Sequence, residues 1–304
     1  MEQEKQYDLF LPPVMAKKAE DLGVRKAGMP FSKLFPLSML AGAFISLGAV
    51  FCTVVLSGGS AMPYGISRLA GGLAFSLGLI LVIIGGAELF TGNNLIVMAW
   101  ASGRVKTSAM LRNWGIVYLG NFAGSLLTAL LMVTSKQYIF GGGLVGETAL
   151  KIAAGKVNLG FAQAIALGIL CNGLVCLAVW LTYSGRTTTD KIIAIIFPIS
   201  AFVAAGFEHS VANMYFIPYA MFIKQFDPAF VAGLGDAVNL SSLTWGAFLL
   251  KNLLPVTIGN IIGGGVLVGA VYWLVYLADT KVTKTSGQPQ SQPSDASGQQ
   301  THQA

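Results

Sequence analysis

A carboxylate inside a long apolar run is the feature that most restricts how this chain can fold. The run extends over residues 69–100 and contains Gly86 and Glu88 near its middle. A peptide unwound there cannot face lipid, because its N–H and C=O groups would lack partners, so protein or a cavity must surround it. An ionisable residue within a membrane segment marks a functional site by default. The run therefore predicts a transmembrane helix broken at mid-membrane.

The same pattern occurs a second time in the chain. Residues 86–93 and 206–213 both read Gly-x-Glu-x-x-x-x-Asn, and both copies fall inside apolar runs. Two asparagines also recur with equal spacing on two other runs, as Asn113 and Asn121 and as Asn252 and Asn260. A chance match of small-residue packing motifs is the alternative. We favour an internal repeat, because there are two independent matches and one of them includes a charged residue.

Composition places the chain among polytopic membrane proteins. Hydrophobic residues make up 54% of its 304 residues and charged residues 11%, whereas soluble domains have about 25% charged residues. The long apolar runs in the sequence predict six membrane spans. They cover approximately residues 33–56, 69–100, 111–134, 159–183, 191–223 and 252–277.

The predicted orientation follows from the number of spans together with the distribution of basic residues. Six spans place both termini on one side, and three spans per half require the halves to be inverted. Most of the 19 Lys and Arg residues fall on the side of the termini, which predicts cytoplasmic termini. We attribute the net charge of +6 to this bias rather than to nucleic-acid binding. Inverted repeats with discontinuous helices place the binding site at the repeat interface.

Three regions are predicted along the chain. Residues 1–32 have no signal-peptide pattern and contain a short amphipathic helix from Pro12 to Gly23, or else a loosely held tail. Residues 33–278 form the transmembrane domain, with a connector at 62–68 and a long loop at 135–158. The Ser/Gln/Pro-rich residues 279–304 are predicted to be disordered.

Each break is predicted to start a new half-helix. Thr91 and Ser210 stand where N-cap residues are needed. The free N–H groups and the positive helix end would then favour a small anion at the centre.

The two acidic residues at the breaks, Glu88 and Glu208, are interpreted as structural. Each carboxylate would accept from backbone N–H groups freed by the break; cation binding or proton relay is the functional alternative. The other residues assigned a structural role at the breaks are Gly86, Asn93, Gly206, Ser210 and Asn213.

His209 is the side chain at the breaks that titrates near neutral pH. It attracts an anion when charged and donates one hydrogen bond when neutral; simple satisfaction by backbone is the alternative. His302 lies in the tail, and the three cysteines form no Cys-x-x-Cys or Cys/His cluster. We therefore predict no metal site, no disulfide, no cofactor and no catalytic residue.

Large apolar side chains flank the predicted centre. If these side chains face a pore, they would form apolar constrictions that gate by dewetting. They would also impose a desolvation penalty on a bare anion. A weak acid would escape part of that penalty by crossing in its neutral form, and His209 could exchange the proton. The apolar residues are Phe75, Leu79, Leu89, Phe90, Val175 and Phe202.

The motifs at residues 88–93, 205–214 and 252–265 resemble those of the formate/nitrite transporter family, and the resemblance extends from Asp8 to Leu277. It implies an aquaporin-like protomer in a homopentamer that passes formate and other small monovalent anions across the bacterial inner membrane. It also implies closure by the N-terminal helix at low pH. The pathway residues implied by the resemblance are His209, Thr91, Asn260, Leu89, Phe90, Phe75, Leu79, Phe202 and Lys156. Val175 and Asn172 complete the predicted pathway.

The leading hypothesis is thus a passive, bidirectional, pH-gated formate channel that is not an enzyme. The alternatives are a nitrite or hydrosulfide channel of the same family and a proton-coupled formate carrier. An intramembrane enzyme would need a nucleophile or metal beside the base, and Cys171 and Cys176 have no evident partner. A water or glycerol channel would carry paired Asn-Pro-Ala signatures, which are absent.

Overall fold

A computed structural model describes residues 10–235 and 238–278, and the helices in this part are joined without strands. The predicted disordered tail at 279–304, including His302, and residues 1–9 lie outside the described residues. The helices are α1 Pro12–Ala27, α2 Phe31–Leu56, α3 Tyr64–Gly85, α4 Phe90–Asn93, α5 Ile96–Ala101, α6 Thr107–Thr134, α7 Leu144–Val157, α8 Phe161–Ser184, α9 Thr188–Ala204, α10 Ser210–Phe226, α11 Pro228–Gly233 and α12 Ala247–Tyr276.

Five of these helices are long and apolar enough to cross a membrane, namely α2, α3, α6, α8 and α12. The fifth predicted span, 191–223, corresponds to α9 and α10, which contain 17 residues each and are separated by residues 205–209. The predicted second span likewise divides into α3 and the short helices α4 and α5. The all-helical membrane fold is therefore confirmed.

Two segments differ from the sequence prediction. The predicted loop at 135–158 contains α7, a helix of 14 residues, and the predicted connector at 62–68 largely belongs to α3. In α7 the buried positions Val145, Ala149, Ala153 and Val157 recur every four residues, which is the spacing of one helix face. Lys151 and Lys156 lower the local hydropathy, so this apolar face was not recognised from the sequence.

Both α3 and α9 end at a glycine in the left-handed conformation. Gly86 has φ 74° and Gly206 has φ 75°, a region that side chains with a Cβ rarely adopt. The next N–H folds back onto the helix, from Ala87 to Val82 O (2.9 Å) and from Phe207 to Phe202 O (3.0 Å). These are Schellman-type endings, so the sequence stops the two helices in the same way.

Small residues let the long helices approach closely. A Cβ added to Gly124 of α6 would lie 2.0 Å from Met39 O of α2, and one added to Gly263 of α12 would lie 2.1 Å from Ile169 O of α8. Close backbone contact is how membrane helices gain packing energy where lipid offers no hydrophobic drive. The two contacts hold α2 to α6 and α8 to α12, the pairs that carry the asparagines described below.

Candidate functional site

The buried carboxylate that precedes α4 is fully paired. Glu88 accepts from Lys26 Nζ (2.7 Å) at one oxygen and from Asn93 Nδ2 (2.7 Å) at the other. Asn113 of α6 accepts from Asn93 Nδ2 (3.0 Å) and donates to Lys26 O (2.9 Å). A charge buried to this extent is tolerated only when paired and hydrogen-bonded, and this network supplies both conditions.

The carboxylate that precedes α10 has the same set of partners. Glu208 accepts from Lys156 Nζ (2.7 Å) and from Asn213 Nδ2 (2.7 Å). Asn252 of α12 accepts from Asn213 Nδ2 (2.7 Å) and donates to Lys156 O (2.9 Å). Both glutamates therefore bind side chains, and the expectation that they accept from freed backbone N–H groups is wrong. Their role in bracing the loops fits the structural interpretation.

A second pair of asparagines braces the non-helical segments. Asn121 accepts from Phe90 N (2.9 Å) and donates to Glu88 O (2.9 Å). Asn260 accepts from Ser210 N (2.9 Å) and donates to Glu208 O (2.9 Å). Each asparagine accepts from the first N–H of a half-helix. The expectation that this N–H group is free to bind an anion is therefore wrong.

The two half-helices meet at His209 and Thr91. Their Nε2 and Oγ1 atoms are 2.9 Å apart, and both residues are buried. His209 Nδ1 accepts from Ala212 N (3.0 Å). A neutral imidazole that accepts at Nδ1 carries its proton on Nε2, so Nε2 donates to Thr91 and leaves the threonine hydroxyl proton free to donate onward. Phe202 stacks on the imidazole with ring centroids 6.0 Å apart.

The predicted N-caps are wrong. Leu89 is the N-cap of α4 and gives no side-chain cap, while His209 itself caps α10. Thr91 and Ser210 lie inside the helices that they were expected to cap. An imidazole nitrogen can replace the usual hydroxyl or carboxylate oxygen because it also places an acceptor within hydrogen-bond distance of the backbone N–H. This role is not evident from sequence, since histidine is not a typical N-cap residue.

A cavity of about 250 Å³ leads to His209 from the end of the protein where α7 lies. Four residues of the predicted pathway, His209, Phe75, Phe202 and Lys156, are in its lining. Phe75 packs edge-on against Phe202 at 5.6 Å, which fits an aromatic wall beside the imidazole.

The charges along this cavity are mainly positive. Its lining includes Arg68, Lys151 and Lys156, and its one acidic lining residue, Glu208, is paired with Lys156. Arg68 donates to Val203 O and to Ala204 O (3.3 Å), the last carbonyls of α9. Cations close to a low-dielectric passage raise the local concentration of anions. Sequence reasoning missed Arg68, although its position next to the predicted second span was the available signal.

The other predicted pathway residues are buried outside the lining of this cavity. Thr91 contacts the imidazole, and Asn172 donates to Asn94 Oδ1 (2.8 Å) and to Asn260 O (2.6 Å). Phe90 packs against Tyr118 with ring centroids 4.9 Å apart. The remaining members of this group are Leu79, Leu89, Val175 and Asn260.

Helix α1 covers the opposite end of the protein. Its apolar face buries Met15, Ala16 and Ala19 against Met98, Trp180 and Leu277. Its acidic face binds the loop after α5, where Arg104 pairs with Glu20 (2.8 Å) and with Asp21. The Arg104 guanidinium lowers the pKa of Asp21 from its ordinary value. The predicted amphipathic helix is present, and it extends to Ala27 rather than to Gly23.

The described residues contain no group of three or more His, Cys, Asp and Glu side chains arranged to hold a metal ion. Cys52, Cys171 and Cys176 are free and buried.

Long apolar helices around a buried, ion-paired polar centre define a polytopic membrane protein. A sequence profile of the formate/nitrite transporter family matches residues 13–274. The chain belongs to the formate/nitrite transporter family.

Named relatives and solved structures agree with this membership. The chain is 48% identical over 281 residues to the formate channel FocA of Escherichia coli K12, covering 92% of this chain and 99% of the relative. Identity to FocA of Haemophilus influenzae is 43% over 271 residues, 88% and 95% of the two chains. A solved pentameric formate channel with formate bound has 47% identity and a TM-score of 0.76, covering 81% of this chain and 98% of that one. An FNT family ion channel has 29% identity and a TM-score of 0.72, covering 86% and 98%. These relatives are channels rather than enzymes.

Proposed function

We propose that this protein is a passive, bidirectional formate channel of a bacterial inner membrane. The observation that carries the proposal is the hydrogen bond between His209 and Thr91 at the inner end of a cavity lined by Arg68, Lys151 and Lys156. At the inner end of that cavity an anion meets the imidazole and the hydroxyl proton that its bond to Thr91 leaves free, and neither group carries a fixed positive charge. The anion is therefore bound weakly enough to move on, which conduction requires.

The architecture we propose is an inverted, aquaporin-like repeat of three spans and three spans, with spans 2 and 5 discontinuous. The two carboxylate networks support it, because three contacts recur in both: the lysine and one asparagine bind the glutamate, and that asparagine donates to the second asparagine. The first network consists of Lys26, Glu88, Asn93 and Asn113, and the second of Lys156, Glu208, Asn213 and Asn252. One network lies beside α1 and the other beside α7. Residues 1–32 then form a cytoplasmic segment, and 33–278 form the channel domain.

The assembly we propose is a homopentamer with one pathway in each protomer. The name of the solved formate channel that this chain resembles supports it. Gly86 offers a second argument, since this non-helical residue is exposed on the single chain. Unwound peptide in a membrane needs protein around it, and a neighbouring protomer would provide that cover.

Gating is proposed to reside in α1, which seals the cytoplasmic end by burying Met15, Ala16 and Ala19. In this arrangement the described cavity opens to the periplasm and ends at His209. Acid pH would favour the closed position, and deletion of residues 1–30 should weaken acid closure. Equal acid inactivation of the truncated and full-length channels would exclude α1 as the gate.

A flux panel in proteoliposomes tests the function. Formate, nitrite, hydrosulfide, acetate and lactate uptake is measured with and without a proton gradient. We expect formate flux that saturates at high concentration and needs no gradient. Flux that vanishes without a gradient would indicate a proton-coupled carrier. Absence of formate flux would refute the proposal.

A further inference from the structure

Two buried groups near the centre that can donate a hydrogen bond, Asn94 Nδ2 and Ser210 Oγ, have no partner among the described residues. Asn94 Nδ2 is unpaired, and the side chain is 0% exposed. Its Oδ1 accepts from Asn172 Nδ2 at 2.8 Å. The orientation of Asn172 is fixed in turn, because its Nδ2 faces two carbonyl oxygens, Asn260 O and Thr91 O. The amide of Asn94 therefore cannot be flipped to satisfy its nitrogen.

The position of Asn94 relates this donor to the central pair. Asn94 follows Thr91 by three residues and has helical backbone angles of φ −60° and ψ −24°. Side chains three residues apart share one face of a helix, with Cβ atoms roughly 5–6 Å apart. Thr91 Oγ1 contacts His209 on that face. The unpaired nitrogen is thus one turn beyond the His209–Thr91 pair, on the side of α5 and α1.

An unpaired buried donor is costly, and native structures keep few of them. Resting on the proposed function, we propose that Asn94 Nδ2 is a second hydrogen-bond donor for the permeating carboxylate. Formate has two acceptor oxygens, so one oxygen stays with Thr91 while the other is bound by Asn94. Hydrosulfide presents a single acceptor atom, which spans two donors on successive turns less well than two carboxylate oxygens do. Asn94 therefore favours a carboxylate over a monatomic acceptor at this step.

The experiment compares three variants of the full-length channel in proteoliposomes, after size-exclusion chromatography has shown that each assembles. Asn94→Leu removes both the donor and the acceptor. Asn94→Asp keeps the oxygen that accepts from Asn172 and replaces the donor by a second oxygen. Asn94→Thr keeps a shorter donor. Formate and hydrosulfide are the two probes.

We expect Asn94→Leu and Asn94→Asp to raise the KM for formate about tenfold, the equivalent of about 1.4 kcal/mol. The KM for hydrosulfide should change less, and Asn94→Thr should recover part of the loss. A purely structural role predicts instead that Asn94→Leu affects both probes equally, or that Asn94→Thr recovers none of the loss for formate; either result overturns the proposal. If the wild type carries no formate, the proposed function fails first, and this inference fails with it.

Discussion

The imidazole of His209 performs two tasks that a pair of substitutions can separate. Nδ1 caps α10 by accepting from Ala212 N, and Nε2 donates to Thr91. His209→Phe removes both contacts, whereas His209→Asn keeps an acceptor of the kind preferred at an N-cap. An asparagine side chain is too short to restore the imidazole's full reach to Thr91.

The expected stability losses follow from these contacts. Losing the cap costs about 1 kcal/mol, and leaving the buried Ala212 N–H unsatisfied brings the loss to about 1–3 kcal/mol. We expect His209→Phe to lower the free energy of unfolding by that amount and to abolish formate flux. His209→Asn should unfold close to the wild type and still carry formate more slowly.

Thermal unfolding of the detergent-solubilised protein and formate uptake by proteoliposomes give the two readouts. Equal destabilisation by both substitutions would refute the capping role. Unchanged uptake by His209→Phe would remove the imidazole from the pathway. The two results are independent, so each half of the reasoning can fail alone.

Three further predictions concern the charges around the site. Lys156→Met leaves Glu208 buried without its cation and should lower the free energy of unfolding by about 3–5 kcal/mol, and adding Glu208→Gln should recover part of it in thermal unfolding. Arg68→Gln should slow formate entry at low ionic strength by roughly tenfold and much less at high salt, measured as initial uptake rate. Arg104 keeps the pKa of Asp21 low, so this contact stabilises docked α1 at every pH above the carboxyl's ordinary pKa, including the pH of the proposed acid closure. It is lost only as pH falls further, through the lowered value. In Arg104→Gln, hydrogen exchange should show α1 loosening at a higher pH than in the wild type.

Each of these predictions has a matched control. Lys26→Met tests whether the equivalent carboxylate network responds as the Lys156 network does. Lys251→Gln removes an exposed lysine outside the cavity lining and should leave the salt dependence unchanged. Lys106→Gln removes a charge from the loop that carries Arg104 and should not change the pH at which α1 loosens. A response of either glutamine control equal to that of its partner would show a general charge effect instead.

Much of the fold was predictable because its signals are local. Long apolar runs report membrane helices, and the glycines at 86 and 206 report where helices stop, since a left-handed residue is needed there. The amphipathic pattern of α1 predicted a short helix as one of two alternatives, the other being a loosely held tail. Helix α7 was missed because its two lysines masked an apolar face. The partners of Glu88 and Glu208 could not be read either, since each carboxylate is paired with a lysine more than 50 residues away.

Local sequence patterns were enough to identify the class of protein and the position of its centre. Hydropathy and the repeated Gly-x-Glu-x-x-x-x-Asn pattern depend only on neighbouring residues, and they pointed to the segments that carry His209 and Thr91. The packing of the helices established what individual atoms do: His209 caps α10, Arg68 lines the cavity, and Asn94 Nδ2 has no acceptor. Hydrogen bonds have directions and short ranges, and a linear pattern contains neither until helices distant in the chain are packed together.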